Sequence, residues 1–291
     1  MNGLLIVNKP VGPTSHDVVY KIRKWSGERR VGHTGTLDPL ASGVLIVCLG
    51  TATRVSEYLL HSDKRYEAII RLGQTTATYD STSRVLQHRP VNISAEQIES
   101  ALAAFRGPIT QTPPAYSAVQ VDGRRAYDMA RRGEEVELKP RTITIHTLNI
   151  IKWESPDLTI DIMCSSGTYI RSIAHDLGQA LACGGHIVGL NRTATGRFTL
   201  ADARPLNELQ NLTPGQFLKL LRPTDQALLH WPEVHLDAEG ANRIQHGNPV
   251  PLTPGAAGLG RAYDPRGRLV AIVEADPANN EWKPKKVLIT A

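Results

Sequence analysis

Two alternating segments, Thr142–Ile151 and Leu158–Cys164, meet through the turn Ser155-Pro156-Asp157. Alternation puts one side of each strand against a core. So short a connection permits antiparallel pairing only, because a parallel partner needs a crossover of about a dozen residues or more. A third alternating run, Tyr66–Leu72, sets Tyr66, Ala68, Ile70 and Leu72 against Glu67 and Arg71. Gly3–Val7 and Val44–Leu49 read as buried strands. The expected class is therefore α+β, rather than a doubly wound parallel sheet.

Helices interleave with these strands. Ser94-Ala95-Glu96-Gln97 is a capping-box pattern, with Ile98, Leu102 and Phe105 as an apolar stripe and Gly107 as its end. Thr168–Cys183 reads as a second helix closed by Gly184-Gly185, and Ser15 is expected to cap a short basic helix carrying Val18, Val19, Ile22 and Trp25. Residues 111–140 look different, with prolines, Gly-containing turns, alternating charge and a small helix around Ala126–Arg132. They read as an excursion from the sheet. A boundary is expected near His230-Trp231-Pro232, giving a domain 1–230 and a small β-rich module 231–291 with strands at Leu269–Val273 and Val287–Thr290. An accessory RNA-binding role and a structural cap are both open for that module.

The 33 Lys+Arg and 28 Asp+Glu leave +5, unevenly placed. Lys21, Arg23, Lys24, Arg29 and Arg30 face one nearby acid, Glu28, and further basic clusters occur at Lys64-Arg65, Arg124-Arg125, Arg131-Arg132 and Lys283/Lys285/Lys286. This suits a polyanionic partner, although solvated basic faces look the same in sequence. No apolar run approaches a membrane span, so no membrane association is expected. Cys48, Cys164 and Cys183 lie far apart without a CxxC, which argues against a disulfide framework or a zinc ribbon. A reduced, cytoplasmic protein is expected.

The densest chemical segment is Gly32-His33-Thr34-Gly35-Thr36-Leu37-Asp38-Pro39-Leu40-Ala41-Ser42-Gly43, which runs straight into a buried strand. A lone acid at a strand mouth, five residues after a histidine, is an arrangement that functional loops use. A turn in which Asp38 only binds neighbouring N–H groups has the same signature. No phosphate-binding glycine loop, dinucleotide fingerprint or metal-ligand spacing is present, so neither a cofactor nor a metal is expected. Cys164-Ser165-Ser166-Gly167-Thr168-Tyr169-Ile170-Arg171 adds a Tyr and an Arg at a helix start, and Lys64-Arg65-Tyr66 puts an aromatic at a strand head. An acid, an arginine to pair with it and a stacking tyrosine suit work on a base extruded from RNA. An ordinary ion pair and core-facing tyrosines remain the plainer alternative.

Taken together, these segments resemble the TruB family of pseudouridine synthases, which modify uridine 55 in the TΨC loop of tRNA. The resemblance begins at Asn8-Lys9-Pro10-Val11-Gly12-Pro13-Thr14-Ser15 and covers the whole Gly32–Gly43 loop. It continues, in order, through Lys64-Arg65-Tyr66, Leu72-Gly73-Gln74, Tyr116-Ser117-Ala118 with Asp122-Gly123-Arg124-Arg125-Ala126-Tyr127, and Gly167-Thr168-Tyr169-Ile170-Arg171. It spans about residues 3–200 and fits 231–291 more loosely, as a PUA-like module. The resemblance implies a mixed, largely antiparallel sheet with flanking helices and a central cleft, and Asp38 as the catalytic aspartate. It implies that Arg171 pairs with Asp38, orienting it and keeping it ionised, and that Tyr66 stacks on the flipped uracil. Tyr169 and Leu190 would close the pocket, His33 would fill the gap in the RNA stack or help extrude the base, Asp80 would lie near the base, and Lys9 would buttress the cleft. Arg124, Arg125, Arg131 and Arg132 would reach RNA phosphates. The implied partner is tRNA, with no obligatory protein partner and a monomeric state.

Gln120 stands where many relatives carry Lys, Asn191 where Arg is common, and the acid-rich run before Asp80 is thinned to Thr76-Ala77-Thr78. These departures bear on the strength of RNA binding rather than on the reaction. Two other readings stay open: a non-enzymatic module that remodels the tRNA elbow, and the catalytic subunit of a guide-RNA particle.

Overall fold

The structure, a computed structural model, describes residues 1–121 and 123–289. Asp122 of the resembling segments and Thr290 of the expected last strand lie outside the described residues.

The alternating segments do pair as neighbours. Strands β1 (Gly3–Lys9), β2 (Ala41–Leu49), β3 (Lys64–Leu72), β4 (Arg141–Glu154), β5 (Asp157–Cys164) and β6 (Gly185–Thr195) form the body of one sheet. Among the described residues it has ten strands, in the order Arg204–Pro205, β1, β2, β6, β3, β5, β4, Gly107–Gln111, with Val31–His33 on β2 and Phe198–Thr199 on β6. The β4–β5 hairpin closes with Glu154 opposite Asp157. Within this sheet two pairings are parallel, β1 with Arg204–Pro205 and β6 with β2, so it is mixed and largely antiparallel.

β1 and β2 are continuously apolar because both their faces are buried. Leu5, Val7, Leu45 and Val47 join a core shared with helices α1 (Ser15–Ser26), α2 (Ala95–Ala103) and α3 (Ile170–Ala180). Leu4, Ile6, Val44 and Ile46 point the other way, into a cluster with Leu228, Ile272 and Leu288. The C-terminal residues thus cover the second face of this sheet. They form their own five-stranded sheet, in the order Glu233–His235, Leu259–Tyr263, Leu269–Asp276, Glu281–Val287, Val250–Pro251. At the seam, the Tyr263 hydroxyl donates to Asp225 at 2.8 Å, and Tyr58 meets Trp231 edge-on at 5.0 Å.

Several local expectations need correction. Thr14, not Ser15, caps α1, in a capping box with Asp17. Ser15 is the first helical residue and its hydroxyl is used elsewhere. α2 has the expected Ser94–Gln97 capping box but stops at Ala103, while Gly107 opens the next strand at φ +84°. α3 is shorter than Thr168–Cys183, because the Gly184 N–H turns back to the Gly178 carbonyl at 2.8 Å. The last strand is Glu281–Val287, with Trp282 buried, so Val287 ends it rather than starting one. Its lysines do not form a free basic tail: Lys283 pairs with Asp276, Lys285 with Glu274 and Lys286 with Glu57.

Candidate active site

The Asp38 loop is pinned from below by the segment at the chain start. Ser15 Oγ donates to the Leu37 carbonyl at 3.1 Å and accepts from the Leu37 N–H at 2.8 Å. The Gly12 N–H donates to the Pro39 carbonyl at 2.8 Å. Lys9 is fully buried and donates to the Pro10 and Pro13 carbonyls at 2.9 and 2.8 Å, which shapes that segment. Burial lowers its pKa to about 8, against the opposing pull of Asp38. The loop is therefore held at the residue before Asp38 and the residue after it. The carboxylate itself stays 39% exposed.

Arg171, on the first turn of α3, answers it from the opposite wall. Its Nε lies 3.0 Å from Asp38 Oδ2, and the side chain is only 7% exposed. Nη1 donates to the Thr78 carbonyl at 3.0 Å and lies 3.7 Å from Asp80 Oδ2, while Nη2 donates to the Tyr116 carbonyl at 3.1 Å. All three nitrogens are occupied, so the planar fork has one orientation. Asp80 is fixed in turn by the Thr78 hydroxyl at 2.6 Å and the Thr82 N–H at 3.0 Å.

Between these walls lies a cavity of about 280 Å³ that Asp38, Tyr66, Tyr169, Arg171 and Leu190 all line. Sheet register brings them together. Leu190 pairs opposite both Ala41 and Ala68, and Tyr66 opposite Arg192. The close parallel approach of β2 to β6 needs Gly43, where a Cβ would sit 2.2 Å from the Arg192 carbonyl oxygen. Tyr66 is 8% exposed, and burial raises its phenol pKa, so the hydroxyl is protonated near neutral pH. The Tyr169 backbone is gripped by the Gln111 amide through its N–H at 2.8 Å and its carbonyl at 3.1 Å. The Arg141 guanidinium lies 4.8 Å from the centre of its ring.

The other expected residues sit around this core. Asp80 touches Arg171 rather than the cavity, and Lys9 lies beneath the loop. His33 ends the Val31–His33 strand, outside the cavity lining, with its ring edge-on to His16 at 5.2 Å. Burial lowers its pKa to about 4, so it is neutral near pH 7. In the 111–140 excursion, Arg124 pairs with Glu134 at 2.7 Å, and Arg125 and Arg131 both lie over the Tyr127 ring. Arg132 is exposed.

Sequence reading missed two buried cations. Arg192, 1% exposed, donates to the Val44 carbonyl at 2.7 Å and the Gly35 carbonyl at 3.1 Å, tying the Asp38 loop to β6. Lys64 also lines the cavity and donates to the Leu60 carbonyl at 2.7 Å; burial, with Arg192 nearby, lowers its pKa to about 8. The Lys64-Arg65 pair, which reads as a basic cluster, is split by the strand alternation: Lys64 turns inward with Tyr66, and the exposed Arg65 pairs with Asp161.

Comparison with known proteins gives the same picture over the whole chain. Residues 23–170 match the TruB family pseudouridylate synthase N-terminal domain, 171–229 a tRNA pseudouridylate synthase B C-terminal domain, and 231–289 the tRNA pseudouridine synthase II C-terminal domain. The chain is 42% identical over 290 residues to tRNA pseudouridine synthase B of Thiobacillus denitrificans, covering 100% of this chain and 97% of that protein. It is 42% identical over 280 residues to the Pseudomonas aeruginosa protein of the same name, covering 94% and 92%. Among solved structures, the crystal structure of a Cbf5-Nop10-Gar1 complex aligns with a TM-score of 0.77 at 28% identity, over 99% of this chain and 85% of that one. With the matched domains spanning nearly its full length, the chain belongs to the TruB family of pseudouridylate synthases.

Proposed function

We propose that the chain isomerises uridine 55 in the TΨC loop of tRNA to pseudouridine, with Asp38 acting on a flipped-out uridine and no cofactor. The observation that carries this reading is the Asp38–Arg171 pair at 3.0 Å, facing a cavity walled by Tyr66, Tyr169 and Leu190. The reaction breaks the bond between N1 and C1′ and makes one between C5 and C1′. It needs no change of oxidation state and no energy input. A carboxylate serves either by attacking C1′ and holding the sugar as an ester while the base turns, or by taking the C2′ proton as N1 leaves and returning it as C5 bonds C1′. Tyr66 offers a flat face for the base, and the apolar wall keeps water from the glycosidic bond under attack. Incubating purified protein with unmodified tRNA, without additions, and mapping pseudouridine by position tests this directly. Pseudouridine absent from position 55 overturns it.

Tyr66 carries two separable roles in this reading. Tyr66→Phe keeps the ring and loses the hydroxyl that takes part in the final proton removal from C5, so tRNA affinity is expected to hold while turnover falls sharply. Tyr66→Leu also loses the stack, about 1–3 kcal/mol of binding. Equal turnover for the Phe variant and the wild type, measured at saturating tRNA, reduces Tyr66 to packing.

The 111–140 excursion is read as the grip on the tRNA stem-loop. Among the described residues Arg125 and Arg132 have no carboxylate partner, whereas Arg124 must first leave Glu134. An Arg125/Arg132 double alanine variant is expected to flatten the salt dependence of tRNA binding by about two units of slope. An unchanged slope removes the excursion from the interface.

The same reading divides the chain at 230/231 and makes it a cytoplasmic monomer without an obligatory protein partner. Separate sheets and a family match that begins at 231 support the division. The apolar cluster joining Leu4 and Ile6 to Leu228, Ile272 and Leu288 argues that the two parts move as one body. Full-length identity to proteins named for tRNA favours a stand-alone enzyme over a guide-RNA subunit, and the assembled Asp38, Arg171 and Tyr66 favour it over a pure RNA-folding module.

A further inference from the structure

Behind Arg171 the chain makes a turn with an uncommon backbone. Tyr79 has φ +60°, in the left-handed region that residues with a Cβ rarely occupy. The reversal has a visible result: the residues on either side of Tyr79 reach the same nitrogen. The Thr78 carbonyl accepts from Arg171 Nη1 at 3.0 Å, and Asp80 Oδ2 lies 3.7 Å from it. An extended backbone at position 79 would send these two groups apart.

Beyond the threonine bonds to Asp80, two features hold the turn. The first is backbone stitching to β6, where the Ile187 N–H donates to the Tyr79 carbonyl at 3.0 Å and the Ser81 N–H donates to the Ile187 carbonyl at 2.9 Å. The second is a stack. The Tyr79 ring lies on the His175 ring with centroids 3.9 Å apart and planes 12° from parallel. His175 is four residues beyond Arg171 on α3, so the two share one face of the helix. One helix therefore supplies both the guanidinium and the ring that braces the turn gripping it. Burial lowers the His175 pKa and raises that of Tyr79, so both rings are uncharged near neutral pH, as a face-to-face stack favours. His175 Nδ1 is buried with no hydrogen-bond partner among the described residues. Neither residue lines the cavity.

We propose that Tyr79 and His175 are positioning residues for the isomerisation: their stack holds the 78–80 turn on Arg171 Nη1 and thereby fixes how Nε is presented to Asp38. This rests on the reading of Asp38 as the reacting carboxylate. His175→Ala removes the brace without touching the cavity, and Tyr79→Gly removes the other ring while relieving the backbone strain. Each is expected to lower kcat on tRNA roughly tenfold with KM within about twofold, since small misplacement of a catalytic group is costly. The double variant should be no worse than either single one, because both break the same contact. His175→Phe, which restores a flat ring, should recover kcat to within about twofold of wild type. Wild-type kcat in both single variants, a loss confined to KM, or additive losses in the double variant overturns the clamp while leaving the isomerase reading intact. A wild-type protein that makes no pseudouridine in tRNA overturns both.

Discussion

Asp38→Asn is expected to leave tRNA bound and unmodified. The amide has the shape of the carboxylate and sits at a 39% exposed position, so the fold pays little for the change. The loop keeps its grip, since the Ser15, Gly12 and Arg192 contacts all go to backbone atoms of its neighbours. Affinity is expected to come mainly from phosphate contacts elsewhere and to stay within a few-fold. Turnover is expected to fall by roughly 10⁴-fold or more, because a neutral amide neither attacks C1′ nor takes a proton from C2′. Position-resolved pseudouridine mapping beside a binding isotherm checks both halves. Turnover near the wild-type rate in the Asn variant refutes the chemistry assigned to Asp38.

The second large effect is expected at Arg171. Arg171→Met removes one cation from two carboxylates of very different exposure: Asp38 still reaches water, whereas the Asp80 side chain is 5% exposed. An uncompensated buried carboxylate costs about 3–5 kcal/mol, and the Thr78 and Thr82 bonds to Asp80 place this case at the lower end. Denaturant unfolding should show that loss. Activity should fall by about 100-fold or more even where the variant is fully folded, since Asp38 loses its orientation. Arg171→Lys is not a remedy, because an ammonium cannot meet Asp38, Thr78 and Tyr116 from three nitrogens at once. Combining Arg171→Met with Asp80→Asn should recover much of the stability and little of the activity. Recovery of both would make Arg171 a purely structural residue.

The parts of this site that sequence made legible are those whose residue type is costly unless used. An acid at the mouth of a buried strand, a tyrosine heading an alternating strand and an arginine at a helix start each stood out, and sheet register brings all three to one cavity. Arg192 and Lys64 were not legible as buried cations: Lys64-Arg65 reads as a basic cluster, and a cation inside an apolar pattern reads as a solvated edge. Only the pairing of β6 with β2 and β3 shows that water is excluded there. The Thr14 and Ser15 difference has the same origin. Either hydroxyl could cap α1, and what assigns Ser15 elsewhere is Leu37, 22 residues away. The C-terminal lysines misled for the converse reason. Their acids lie on a neighbouring strand and, for Lys286, in the catalytic domain at Glu57. Local pattern carries strand, helix and cap; partners brought by long-range pairing lie beyond it.

The parallel contact of β2 with β6 has a consequence for the making of the protein. Ser42 and Asn191 touch across 149 residues of chain, and β1 is flanked by Arg204–Pro205 and bridged to Arg222. Closure of so long a span precedes any reward from the contacts it brings, so these pairings come late in folding. During synthesis, a chain that has emerged only to residue 170 carries Asp38 and Tyr66 but neither Arg171 nor the β6 wall. Its carboxylate faces open water with no cleft behind it. The cleft thus closes only once β6 has joined β2 and β3, and a chain ending at residue 170 lacks the Arg171, Leu190 and Arg192 that line the pocket.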